Sequence, residues 1–370
     1  MKETILAIAT LSGTIIGVGI FALPYITLVS GFWTVLGYFL LLGMVAILIH
    51  SLLGEIALKT EDYKRFPGFA KIYLGKNGER VAIFSTVFGL LGAILAYLIV
   101  GGEFLNSLLS PIFGGNELIY TLFYFLVGAI LIFFGIKVVA KIEFWGLLLF
   151  FFSLFLIFFK GWHLIKIENL LITKAPTLKT FILPYGPILF SLWGAALIPE
   201  VEEMLKDKKQ SLLKIIPVAI LIPIFAYLFF IFLILGICGK NTTESALSGL
   251  KYFLGDGIVS LTLFFGVLTT FTSFISLGLT LKKVFWYDLG FNKNLSFFLT
   301  CFVPLFFYLL GIKEFILVIS FVGAILLGID GILILAMYKK IKPKSILIYP
   351  LFLILVFGVI LEILHFLKWI

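Results

Sequence analysis

A chain of 370 residues that is 62% hydrophobic and 13% charged, with a mean hydropathy of +1.21, lacks the polar surface a water-soluble globule needs. It reads as an all-α polytopic membrane protein. The net charge of +9 comes from lysines gathered between apolar runs, which excludes a nucleic-acid partner. Cys238 and Cys301 form no CxxC or disulfide framework, His50, His163 and His365 are too scattered for a metal site, and no signal-cleavage pattern follows Met1.

The first apolar segment, about 4–29, is long enough to cross a bilayer, which takes ~20 apolar residues. Its middle carries Ser12, Gly13, Thr14, Gly17 and Gly19, with Pro24 one turn later. Glycine costs ~1 kcal/mol against alanine inside a helix and proline removes a donor, so a plain span would not gather these residues. The stretch predicts two half-helices meeting at an unwound joint whose free N–H and C=O groups face a solute. The alternative is a GxxxG packing seam at Gly13 and Gly17.

Ten further spans follow at about 33–57, 81–106, 118–136, 142–160, 182–204, 212–237, 257–281, 296–311, 313–337 and 345–367. Most of the 28 basic residues fall in segments on one side if the N-terminus is cytoplasmic, which puts the C-terminus outside. Residues 66–75 and 244–254 space their apolar side chains three or four apart, as short amphipathic helices lying on the two faces do.

The sixth segment repeats the oddity of the first. It holds Pro184, Pro187, Gly194 and Pro199, with Ser191 and Trp193 at the same break, and ends in Glu200, Glu202 and Glu203. Segments one and six lie five apart, and five is odd, so the second unit sits inverted in the membrane. Paired interrupted segments in two halves point to a transporter binding site. The expected organisation is a first five-span repeat at 1–160, a linker at 161–181, a second repeat at 182–340 and an added span at 341–370.

Membrane-embedded acids are functional candidates, because a carboxylate at mid-bilayer costs ~2.5–3.5 kcal/mol on insertion scales. Asp330 is the deepest, either an anchor to a neighbouring hydroxyl or a proton carrier or gate; Glu200 is a candidate gate, with Glu202 and Glu203 either pairing with basic residues such as Lys2 or Lys59 or simply solvated. On the eighth segment Thr262, Gly266, Thr269, Thr272, Ser273, Ser276 and Thr280 make one hydroxyl-rich face. Those hydroxyls either bond back to helices or, with the unwound carbonyls of Gly13 and Ile16, form a cation cage from Thr269, Thr272 and Ser273.

The stretches GTIIGVGIFALPY (13–25), AYLIVGGEFL (96–105), ILFSLWGAALIPEVEEMLKD (188–207) and TTFTSFISLGL (269–279) resemble the amino acid/auxin permease family and its bacterial aromatic amino acid permease relatives. The resemblance implies the LeuT-type fold of two inverted five-helix repeats, with substrate at the broken helices and Tyr97 set against its carboxylate. It also implies sodium between the first and eighth spans. Some proton-coupled relatives place a fifth-span lysine there, but here Lys141 and Lys160 lie at the two edges of that span. The expected function is secondary active import of neutral, hydrophobic or aromatic amino acids with sodium, and no other cofactor. A proton symporter using Asp330 is the alternative. A membrane acyltransferase is the remote one, since His50 and Glu55 form only an HxxxxE string.

Overall fold

The computed structural model describes residues 2–61, 64–135, 139–171 and 177–367. Within them 8 helices are long and apolar enough to cross a membrane, and a pair bent by 49°, Glu3–Ile15 with Val18–Ser30, makes a ninth. That pair is span 1. Spans 2 to 4 are Phe32–Leu58, Phe66–Phe113 and Glu117–Phe134; spans 6 to 8 are Leu178–Met204, Lys208–Asn241 and Gly257–Asp288. Span 5 is Val139–Gly161 and span 9 Lys293–Leu309, while Phe315–Ile341 and Ile348–Phe366 are spans 10 and 11. The end of the molecule that carries the N-terminus is called the near side. Pro176 and Lys137 lie outside the described residues, as do the side chains of Lys2 and Lys141.

Local chemistry sets the breaks. Gly75 adopts φ 72°, a left-handed value that a side chain disfavours, and bends the helix that begins at Phe66. The short helix expected at 66–75 is present, set off from span 3 by this kink, with Phe66, Phe69 and Ala70 on its buried face. The far-side stretch 244–254 differs from expectation in its helix type. It forms a 3-10 helix, Leu247–Tyr252, with Leu247 and Leu250 fully buried. It lies on that face with its apolar side inward and Tyr252 exposed, and Ser245 and Ser248 pin it by donating to Glu103 Oε1 at 2.5 and 2.8 Å.

The two halves of span 1 pack differently. Its near half lies against span 7 and the near half of span 6, whereas its far half also reaches spans 3 and 10. Phe21 centres that far-side packing, edge-on to Phe104 at 4.8 Å, Phe150 at 5.5 Å and Phe230 at 6.0 Å. Span 8 packs chiefly on spans 3 and 5. At its near end Lys282 Nζ donates to the carbonyls of Ile132 and Phe133, at 2.8 and 3.0 Å. These are end-of-helix acceptors of span 4, so the buried ammonium is matched to the negative end of a helix. Large apolar side chains such as Leu40, Phe225 and Phe357 face outward, as a lipid-facing surface requires.

Candidate functional site

Span 1 stops being an α-helix at Ile15. Gly17 is extended (φ −113°, ψ −157°), and a 3-10 turn, Val18–Ala22, carries the chain onward. The hydrogen bonds follow this change. Gly17 N–H, the helical donor to Gly13 O, turns to Ile15 O at 2.9 Å, and Ile20 N–H turns from Ile16 O to Gly17 O at 3.4 Å. Val18 N–H, which would serve Thr14 O, is donated to Tyr97 Oη of span 3 at 3.0 Å. The carbonyls of Gly13, Thr14 and Ile16 are thus released from their helical donors. Unsatisfied backbone of this kind is tolerated at membrane depth only inside protein or beside a cavity.

Span 6 breaks level with it. The helix Tyr185–Ser191 ends, Gly194 takes φ −139° and ψ 17°, and a 3-10 turn, Ala195–Leu197, follows. Two side chains tie the joints. Tyr227 Oη of span 7 lies 2.6 Å from Ile15 O and 2.8 Å from Ser191 O, so one hydroxyl proton serves both breaks. His50 of span 2 accepts Gly194 N–H on Nε2 at 2.9 Å, and its Nδ1 stands 2.7 Å from Ala46 O. With Nε2 accepting, Nδ1 carries the proton.

The joints approach closely because glycine lines them. A Cβ on Gly194 would stand 2.7 Å from Ile15 Cγ1, and one on Gly19 would stand 3.1 Å from Ser191 Cβ. The first span is thus broken, and its close packing falls at Gly19 and Gly194 and not at a Gly13–Gly17 seam. Over Gly17 the phenol of Tyr97 stands instead of open space, its Cζ 3.6 Å from where a Cβ would be.

Other candidate residues divide. Thr14 is exposed and bonds back to Thr10 O at 3.0 Å. Gly13 is half-buried beside it, as is Trp193 at the sixth-span break. At Ser12 the carbonyl is still helical, accepting Ile16 N–H at 3.0 Å, and the hydroxyl donates to Ala219 O of span 7 at 3.1 Å. On span 8 Thr269, Thr272 and Ser273 are buried; Thr272 donates to Thr269 O at 3.1 Å, and Thr269 Oγ1 is buried without a partner. The principal packing does not join this trio to Gly13 and Ile16, because span 8 rests on spans 3 and 5.

Asp330 is buried in span 10 and hydrogen-bonded to the Ser85 hydroxyl of span 3, as the anchor reading expects. Glu200 is exposed at the near end of span 6. Among the described residues the ion pairs there are Glu202 with Lys209 at 3.4 Å and Glu3 with Lys208 at 3.7 Å, and the side chain of Lys2, one expected partner, lies outside them. Across the near side Lys342 meets Glu55 at 2.7 Å, and that carboxylate holds the exposed ammonium above its usual range. Tyr227 and His50 escaped the sequence reading. A lone intramembrane histidine was the available signal for one; as one of 14 tyrosines, Tyr227 gave none.

Among the described residues nine segments long and apolar enough to cross a membrane, with two shorter apolar helices and two breaks tied through Tyr227, make a multi-pass membrane protein. Solved structures agree in fold. The inward-facing conformation of Mhp1 matches with a TM-score of 0.67 at 12% identity, over 91% of this chain and 76% of that one. MhsT in complex with L-phenylalanine matches with a TM-score of 0.57 at 15% identity, over 99% and 97%. The fold is thus LeuT-type, as expected. The chain belongs to the tryptophan/tyrosine permease family, whose model matches residues 1–365. Tyrosine-specific transport system 1 of Haemophilus influenzae is 28% identical over 373 residues, covering 94% of this chain and 88% of that protein. This places the chain beside the aromatic amino acid permeases that its motifs resemble, in a family of transporters and not of enzymes.

Proposed function

We propose that the protein imports aromatic amino acids together with sodium, binding the substrate between the two joints. The near side is taken as cytoplasmic, since the basic loops gather there. Residues 1–160 and 182–340 are read as the two repeats. The observation that carries the reading is the set of backbone groups freed at one level: the carbonyls of Gly13, Thr14 and Ile16, and the Val18 amide held by Tyr97. Family membership and the tyrosine-specific relative supply the substrate class.

In this reading the substrate carboxylate takes the Val18 N–H and the Tyr97 O–H, displacing the bond that now joins them, at the positive end of the far half-helix. The ammonium meets freed carbonyls of span 1. Sodium would sit between Gly13 and Ile16 on one side and Thr269, Thr272 and Ser273 on the other, the orphaned Thr269 hydroxyl among its neighbours. These two groups lie on separately packed spans, so closing the near side assembles the site and opening it releases the ion.

The test is uptake of labelled L-tyrosine and L-tryptophan into proteoliposomes under an imposed sodium or pH gradient. Sodium should drive uptake, Thr272→Ala with Ser273→Ala should remove that drive, and Asp330→Asn should leave it. The bond between Asp330 and Ser85 keeps a proton route as the second reading; uptake that ignores sodium, follows the pH gradient and dies with Asp330→Asn would establish that route instead.

A further inference from the structure

We propose that His50 is a positioning residue for substrate binding: it holds the joint of span 6 in its binding shape by accepting the Gly194 amide proton. This rests on the reading that the amino acid binds between the two joints. The imidazole is fully buried, and both of its nitrogens are committed. Nδ1–H donates to Ala46 O, one turn back on the same helix, at 2.7 Å, which locks ring and tautomer together. Nε2 is thereby left as an acceptor, aimed across from span 2 at Gly194 N–H, 2.9 Å away.

Gly194 is where this matters most. It opens the turn that restarts span 6, and it sits so close to span 1 that a Cβ there would press Ile15 and Leu11, 2.7 and 3.2 Å off. No side chain at 194 can hold the joint, so its orientation must come from the amide. The indole of Trp193 packs edge-on to the imidazole at 5.2 Å, so one ring orients both residues of the break. Tyr227 does the complementary work from span 7, on the carbonyls of Ile15 and Ser191. Spans 2 and 7 thus each send one polar side chain to the joints, one taking an amide proton and the other giving a hydroxyl proton. Loss of the acceptor would leave a buried N–H unpaired in the wall of the site, a penalty that falls on the bound geometry.

The test compares His50→Gln, His50→Asn and His50→Leu in purified protein. Glutamine carries an acceptor to the place of Nε2. Asparagine reaches only the place of Nδ1, so it keeps the bond to Ala46 and loses the one to Gly194. By calorimetry with L-tyrosine, His50→Gln should bind within about threefold of wild type, and the Asn and Leu variants about tenfold or more weaker. Hydrogen–deuterium exchange over 190–197 should quicken in the Asn and Leu variants and not in His50→Gln. A role confined to filling volume would order the variants by size and burial, with Gln and Asn alike. Wild-type affinity and exchange in His50→Asn, or a Gln variant as impaired as Leu, would overturn the assignment. If wild-type protein binds neither L-tyrosine nor L-tryptophan, the functional reading fails, and the exchange arm still decides what His50 holds.

Discussion

The far and near halves of span 1 have the same kind of sequence and opposite surroundings. From Val18 to Ala22 every residue is buried, and Phe21 meets rings from spans 3, 5 and 7. On the other side of the joint Thr14 is exposed, and across from it Ala196 and Glu200 of span 6 are exposed too. The near side carries ion pairs at its rim, Lys342 with Glu55 and Arg65 with Asp288 at 3.7 Å. Packed aromatic rings make a closure that is stable and slow to part. Rim charges exchange partners at little cost. The contrast teaches that the far side of the joint is shut by burial, while Thr14, Ala196 and Glu200 stay exposed toward the near side.

That contrast is open to direct attack. Phe21→Ala should do most, because deleting a buried phenylalanine costs ~3–5 kcal/mol and this one joins three spans. A markedly lower melting temperature, with far-side reagents now reaching Phe104→Cys, is the expected outcome; an unchanged melting curve would mean the rings do not form the seal. Gly19→Val comes next. Its side chain would be driven onto Ser191 and onto Phe190, whose Cδ1 lies 3.2 Å from the Cβ position. Overpacking of this kind costs ~1–3 kcal/mol, and here it forces the two joints apart. Uptake should fall to background while the protein still inserts.

Tyr227→Phe sharpens the comparison at the joint itself. It keeps the ring and removes the one proton that serves Ile15 O and Ser191 O, leaving buried acceptors without it at a cost of ~1–3 kcal/mol. The affinity for L-tyrosine should drop by roughly tenfold, since 1.4 kcal/mol is a factor of ten in an equilibrium constant. Calorimetry checks this. Glu55→Gln should do least. Its partner Lys342 is exposed, so melting should barely move, with any change confined to near-side closure measured by the rate of substrate exchange.

Much of this arrangement was legible in the sequence, and the reason is the bilayer. Span lengths, the paired breaks and the glycines at 17, 19 and 194 leave strong local signals, because hydrocarbon punishes unsatisfied backbone and helix breakers. Asp330 was legible as an anchor for the same reason. What the chain does across space was not. Nothing near Tyr227 in sequence announces that its hydroxyl reaches residues 212 and 36 positions away. His50 sits in an ordinary apolar helix, and its spacing to Glu55 drew attention to a chemistry the fold does not support. For the far-side stretch 244–254 amphipathic spacing reports a buried face without saying what buries it. Here the cover is spans 7 and 8, with span 3 holding the stretch through Glu103.

The most direct measurement is the labelling of Thr14→Cys in a background where the two buried cysteines, Cys238 and Cys301, are replaced. Membrane-impermeant maleimide is applied to vesicles of known orientation, with and without L-tyrosine. The account predicts modification from the side that carries the N-terminus and protection by L-tyrosine, because the thiol would stand beside the open joint. Modification from the opposite side, or labelling that L-tyrosine and L-tryptophan leave unchanged, would contradict it.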